Sequence, residues 1–99
     1  MTEDEIYDKA QGKWGYQFQA LMAVEEAAEL QQALLHHLRG RNTHHDVMDE
    51  IADMTIMCRQ MRRVFDPKEV DERIKYKLDR LQDRLEVVEI VAGEDGTIR

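Results

Sequence analysis

Apolar residues recur at steps of three and four along most of the chain, the spacing of helices that bury one face. The clearest run is Val70, Ile74, Leu78, Leu81, Leu85 and Val88, a single stripe. Asp66-Pro67 opens it: the aspartate suits the N-cap, the proline suits the first helical position, and Glu69 completes a capping box. Upstream, Tyr16 to Leu38 contains no Gly or Pro and is dominated by Ala, Leu, Gln, Glu and Met, all strong helix formers. Its apolar positions cover most of the circumference, which predicts burial on more than one side. Arg39-Gly40-Arg41-Asn42-Thr43 is the break, and Thr43 with Asp46 can cap a further helix from His44 to about Val64.

At the N-terminus, Thr2 and Glu5 have capping-box spacing, predicting a short helix from Glu3 to about Gln11 that ends near Gly12. Trp14-Gly15-Tyr16 then links it to the long segment. After Glu86 the pattern shifts to Val87-Val88-Glu89-Ile90-Val91, mostly β-branched, and Asp95-Gly96 is turn-prone. A short C-terminal strand or hairpin is expected there. The fold class predicted is all-α: an antiparallel helical bundle of one short and three long helices. It forms one domain over 1–99, with a core of about 3–86 and a tail over 87–99.

Composition narrows the classes. With 99 residues, the chain has room for one small core. A domain of this size buries only about 60–65 % of its unfolded surface, so a partner subunit is expected. The lone Cys58 excludes an intrachain disulfide and suits a reducing cytosol, hence a cytoplasmic location. No apolar run approaches the ~20 residues of a membrane span, and the acidic N-terminus is unlike a signal peptide. The net charge of −7 disfavours a nucleic-acid polymer and favours a cation, or a substrate carrying one.

The acids are the informative residues. At 100° per residue, Asp46, Asp49, Glu50 and Asp53 fall on the same arc of about 120° as Met57, Met61 and Val64. An ordinary amphipathic helix puts its acids opposite its apolar stripe; here they continue into it. Glu25, Glu26 and Glu29 likewise sit among Phe18, Met22 and Ala33. No Lys or Arg occurs between Lys13 and Arg39, or between Arg41 and Arg59, so none of these acids has a cation one turn away. Two helices joined by five residues pack antiparallel, bringing the carboxylates toward one region. Like charges gathered at a partly buried site protonate, find distant cations or hold a metal. Oxygen-only ligands suit Mg²⁺, or Mn²⁺, rather than zinc. The chain has no Glu-x-x-His, which argues against a di-iron bundle.

Glu25-Glu26-Ala27-Ala28-Glu29, followed after twenty residues by Glu50-Ile51-Ala52-Asp53, resembles the EExxE and ExxD signature of the MazG-like nucleoside triphosphate pyrophosphohydrolases. Trp14-Gly15 ahead of the first motif is also similar, and the likeness covers roughly residues 5 to 85. The resemblance implies an all-α, Mg²⁺-dependent enzyme, a homodimer or homotetramer. Such an enzyme cleaves a (d)NTP between its α and β phosphates to give (d)NMP and pyrophosphate. It implies Glu26, Glu29, Glu50 and Asp53 as metal ligands and Glu25 as a catalytic companion that orients ligands or the attacking water. On the last helix, Arg73, Lys77, Arg80 and Arg84 form a ridge beside the apolar stripe. Lys77, Arg80 and Arg84 match the family's substrate-binding pattern, but Leu81 stands where the family usually has asparagine. Trp14 and Gln17 are candidates for the base side.

Other readings of these features stay open. Trp14 and Tyr16 suit stacking on a base or core packing, and Gln17 and Gln19 suit reading a base edge or a polar helix surface. His36-His37 and His44-His45 read as helix ends flanking a loop, and the methionines as core filling. Two alternatives compete with the pyrophosphohydrolase: a non-catalytic helical oligomerisation module, and a related enzyme acting on phosphoribosyl-ATP or a signalling nucleotide.

Overall fold

The computed structural model describes the backbone of residues 1–95 and the side chains of residues 1–86. Among the described residues there are three helices and no strand: α1 (Glu3–Leu38), α2 (His44–Phe65) and α3 (Pro67–Asp95). The chain divides into two compact units, Met1–Phe65 and Asp66–Arg99.

Each helix begins on a side-chain cap. The Glu5 amide donates to Thr2 Oγ1 at 3.1 Å, and Thr2 Oγ1 in turn reaches Glu5 Oε1. Ahead of α2, the Asp46 amide donates to Thr43 Oγ1 while the Thr43 amide donates to Asp46 Oδ2 at 2.9 Å, a reciprocal capping box. At α3 the Glu69 amide donates to Asp66 Oδ1 at 3.2 Å. The end of α1 is closed by Gly40, whose φ of 71° is the left-handed conformation glycine adopts freely. The Gly40 amide donates to the His37 carbonyl and the Arg41 amide to the His36 carbonyl, the two bonds of a Schellman motif.

The N-terminal break lies at Gly15, not near Gly12. Gly15 has φ 78° and ψ 168° inside α1, a region open in practice to glycine alone. A straight helix would carry Glu3 about 24 Å beyond Gln19. Instead Glu3 pairs with Arg59 at 2.9 Å, while Gln19 pairs with the adjacent Gln60 at 2.7 Å. Residues 3–14 therefore fold back along α2 as an arm. Arg63 fastens the arm through Asp4 and Asp8, with its guanidinium over the Tyr7 ring. So the short helix expected from the sequence is the arm of α1, set off from the rest of that helix at Gly15 and reaching past the expected end near Gln11.

The second difference is at the C-terminus. Residues 87–91 continue α3 as helix rather than forming a strand. The turn expected at Asp95-Gly96 runs past Asp95 and so lies outside the described residues.

In the first unit α1 and α2 run antiparallel. Gln19 meets Gln60, Tyr16 meets Phe65 edge-on at 5.6 Å, and the Asn42 side chain donates to the Ala33 carbonyl at 3.0 Å. The core is thin. Among the described residues only Tyr7, Gln19, Ala33 and Met57 are buried, while Leu21, Val24, Leu35 and Leu38 of α1 are exposed. Among the described residues of the second unit α3 is the one helix, and its stripe of Ile74, Leu78, Leu81 and Leu85 is exposed. No described helix is long and apolar enough to cross a membrane.

Candidate functional site

The register of the hairpin decides which acids meet. Glu26 and Glu29 stand one turn apart on α1, and Glu50 is carried to the same level on α2. One carboxylate oxygen from each of Glu26, Glu29 and Glu50 lies within 4.8 Å of the others. Two of these groups also hold oxygens withdrawn from solvent: Glu26 Oε2 and Glu50 Oε2 are buried with no hydrogen-bond partner. Burial pushes the Glu26 and Glu50 carboxyls above the ordinary glutamate range, and the charges of Glu29 and Asp53 push both the same way.

No family model, curated protein or solved structure matches this chain.

Arg59 and Arg63 pair at the arm, with Glu3, Asp4 and Asp8. The trio gathers three carboxylates, of which Glu26 and Glu50 each have one oxygen out of reach of solvent. Asp53 is not among the three acids whose oxygens converge, although its charge acts on both Glu26 and Glu50. Glu25 is exposed and lies outside the trio. Beside the acids runs a cleft of about 450 Å³ lined by Glu29, Gln32, Ala33, His36, Asn42, Asp46 and Glu50. Asp46 is held by the Thr43 amide and hydroxyl, which keep its carboxyl below the usual range. Its work there is capping α2.

The remaining candidates separate. Trp14 lines a second cavity at the Gly15 bend; Gln17 is exposed and outside that lining. Lys77, Arg80 and Arg84 are exposed on α3, in the other unit. His37 and His44 meet edge to face across the loop with ring centroids 4.7 Å apart. Sequence reasoning missed Gln60, which joins Gln19 in that second cavity. A signal existed: Gln19 stands seven residues before Glu26, and Gln60 seven after Asp53, two turns along the same face of each helix.

Proposed function

We propose that the protein is a Mg²⁺-dependent nucleotide pyrophosphohydrolase that cleaves a (d)NTP between its α and β phosphates, giving (d)NMP and pyrophosphate. The observation that carries this reading is the Glu26–Glu29–Glu50 trio, with two buried carboxylate oxygens and no counter-ion on either helix within a turn of them. Glu26, Glu29, Glu50 and Asp53 hold the metal, Mg²⁺ or Mn²⁺, as the resemblance to the MazG-like family implies. A bound divalent ion supplies charge neutralisation for the polyphosphate and an acidified water. Glu25, exposed beside the trio, orients that water or accepts its proton. Lys77, Arg80 and Arg84 contact the phosphates, and Trp14 and Gln17 serve the base side. Phosphoryl chemistry needs little more from a protein than this positioning and electrostatic support.

The same reading includes self-association as a homodimer or homotetramer in the cytoplasm. Its support is the row of exposed apolar residues on a chain with so thin a core. That row also favours the second reading, a non-catalytic helical oligomerisation module. Melting with and without millimolar Mg²⁺ separates them, since a native-state metal site raises the midpoint and a module without one does not respond. The decisive test is pyrophosphate release from a panel of nucleotides, phosphoribosyl-ATP and signalling nucleotides included, by wild type and Glu50→Gln. Loss of turnover with unchanged helicity is expected. Wild-type turnover by Glu50→Gln refutes the metal assignment.

A further inference from the structure

We propose that His37, His44 and Met48 form a soft-metal site, taking Cu(I), at the loop end of the α1–α2 hairpin. The site stands apart from the acids and does not depend on the function proposed above. The cavity there measures about 190 Å³ and is lined by His37, His44, Val47 and Met48. Among the described residues its lining includes no carboxylate. Along α1, His37 follows Glu29 by a rise of about 12 Å, and along α2, His44 precedes Glu50 by about 9 Å.

The caps of the two helices place the donors. His37 lies in the last turn of α1, where its carbonyl accepts the Gly40 amide that closes the helix. His44 is the first residue of α2, directly after the Thr43–Asp46 capping box. The loop thus returns the chain so that the two imidazoles meet edge to face, with centroids 4.7 Å apart and planes at 67°. Met48 follows His44 by four residues, which puts both on one face of α2, a turn apart. One imidazole from α1 and an imidazole and a thioether from α2 therefore line the same cavity.

A second observation points to a ligand. His37 Nδ1 is buried and has no hydrogen-bond partner. Buried polar atoms are nearly always paired, because one withdrawn from water and left unbonded lowers stability. A metal ion taken up by that imidazole relieves the deficit. The donor set selects the ion. Magnesium, calcium and manganese seek oxygen, whereas a thioether selects soft ions and imidazole suits copper. All three donors are also neutral, so a monovalent ion leaves less uncompensated charge in the cavity than a divalent one. The chain would then sort cations by hardness, with the acids for Mg²⁺ at one level of the hairpin and Cu(I) at its loop end.

The test titrates the full-length protein with Cu(I), kept reduced by ascorbate, in competition with the chromophoric chelator bicinchoninate. Every protein carries Cys58→Ser, because the exposed thiol of Cys58 is itself a soft ligand. Uptake of one Cu(I) per chain is expected, unchanged by millimolar Mg²⁺. Loss of an outer-shell partner alone costs metal sites about 10–100-fold in affinity, so His37→Gln, His44→Gln and Met48→Leu should each weaken uptake at least about tenfold. His44 and Met48 are exposed, so those two variants should keep their helicity even where His37→Gln does not. Failure to take Cu(I) from the chelator overturns the site, as does displacement by Mg²⁺ or wild-type affinity in both His44→Gln and Met48→Leu. Weakening in the histidine variants alone removes the thioether and overturns the choice of Cu(I).

Discussion

Two glycines three residues apart make opposite predictions. Gly12 lies in regular helix, and a Cβ added there meets nothing within 4 Å. Gly12→Ala should therefore gain the helix-propensity difference, about 0.8–1 kcal/mol. Gly15 also has open space around a built Cβ, so no clash opposes alanine there. What opposes it is torsion, because φ 78° with ψ 168° costs a residue with a side chain about 1–3 kcal/mol. Reduced freedom of the unfolded chain returns about 0.4–1 kcal/mol of that. The net for Gly15→Ala is a loss of about 1–2 kcal/mol. At about 4–8 °C per kcal/mol for a domain of this size, Gly12→Ala should melt higher by about 4–8 °C and Gly15→Ala lower by about 4–16 °C. Urea unfolding of both variants at one protein concentration checks the pair. The arm should also loosen in Gly15→Ala, seen as faster amide exchange over residues 3–14. Equal and same-signed effects would refute the placement of the bend at Gly15, since the two sites differ in little except backbone conformation.

Other predictions rest on single contacts. In metal-free protein, raised Glu26 and Glu50 carboxyls mean that the folded state binds more protons than the unfolded one, so their contribution falls as pH rises above the ordinary glutamate value of about 4.3. The double variant Glu26→Gln/Glu50→Gln should match wild type in stability below that value and exceed it increasingly toward neutrality; a pH-independent difference contradicts the reading. Thr43→Ala removes the hydroxyl half of the α2 capping box, leaves the amide half that Asp46 accepts, and should cost about 1 kcal/mol in urea unfolding. Arg63→Ala should release the arm at a cost of about 1 kcal/mol, because its Asp4 and Asp8 partners are exposed, and the cost should shrink in high salt.

The start of every helix was legible because a cap is a local device: Thr2, Thr43 and Asp66 each act on a residue three positions on. Gly40 was legible as a stop for the same reason. The choice between Gly12 and Gly15 was not, because it is made by Arg59 and Arg63 drawing the arm onto α2, about 50 to 60 residues away in sequence. Residues 87–91 are mostly β-branched, yet the backbone there continues α3 as helix, with Val88 in phase in the sequence with the run from Val70 to Leu85. At the site, Glu26 and Glu29 were bound to share a face, and a five-residue connection set Glu50 opposite them. Gln19 was legible as a base-edge or surface residue, but its pairing with Gln60 was not, because the register that brings them together is set by the packing of the two helices.

The acids and the exposed apolar residues belong to one design problem. Seen down α1, Gln19, Glu26 and Ala33 share the arc that faces α2, while Val24, Leu35 and Leu38 lie roughly opposite. The inner groove is therefore polar along much of its length, where methionine or leucine would give a firmer core. Carboxylates with buried, unpartnered oxygens there work against stability, as groups kept for function commonly do. The apolar area missing from the groove reappears on the back of the hairpin, where Val24 is 67 % and Leu38 80 % exposed. Self-association of the kind proposed above, through that back face, adds core without entering the groove. Under the function proposed above, stability and chemistry then fall on opposite sides of one helix, and assembly through the back face would leave the acids open.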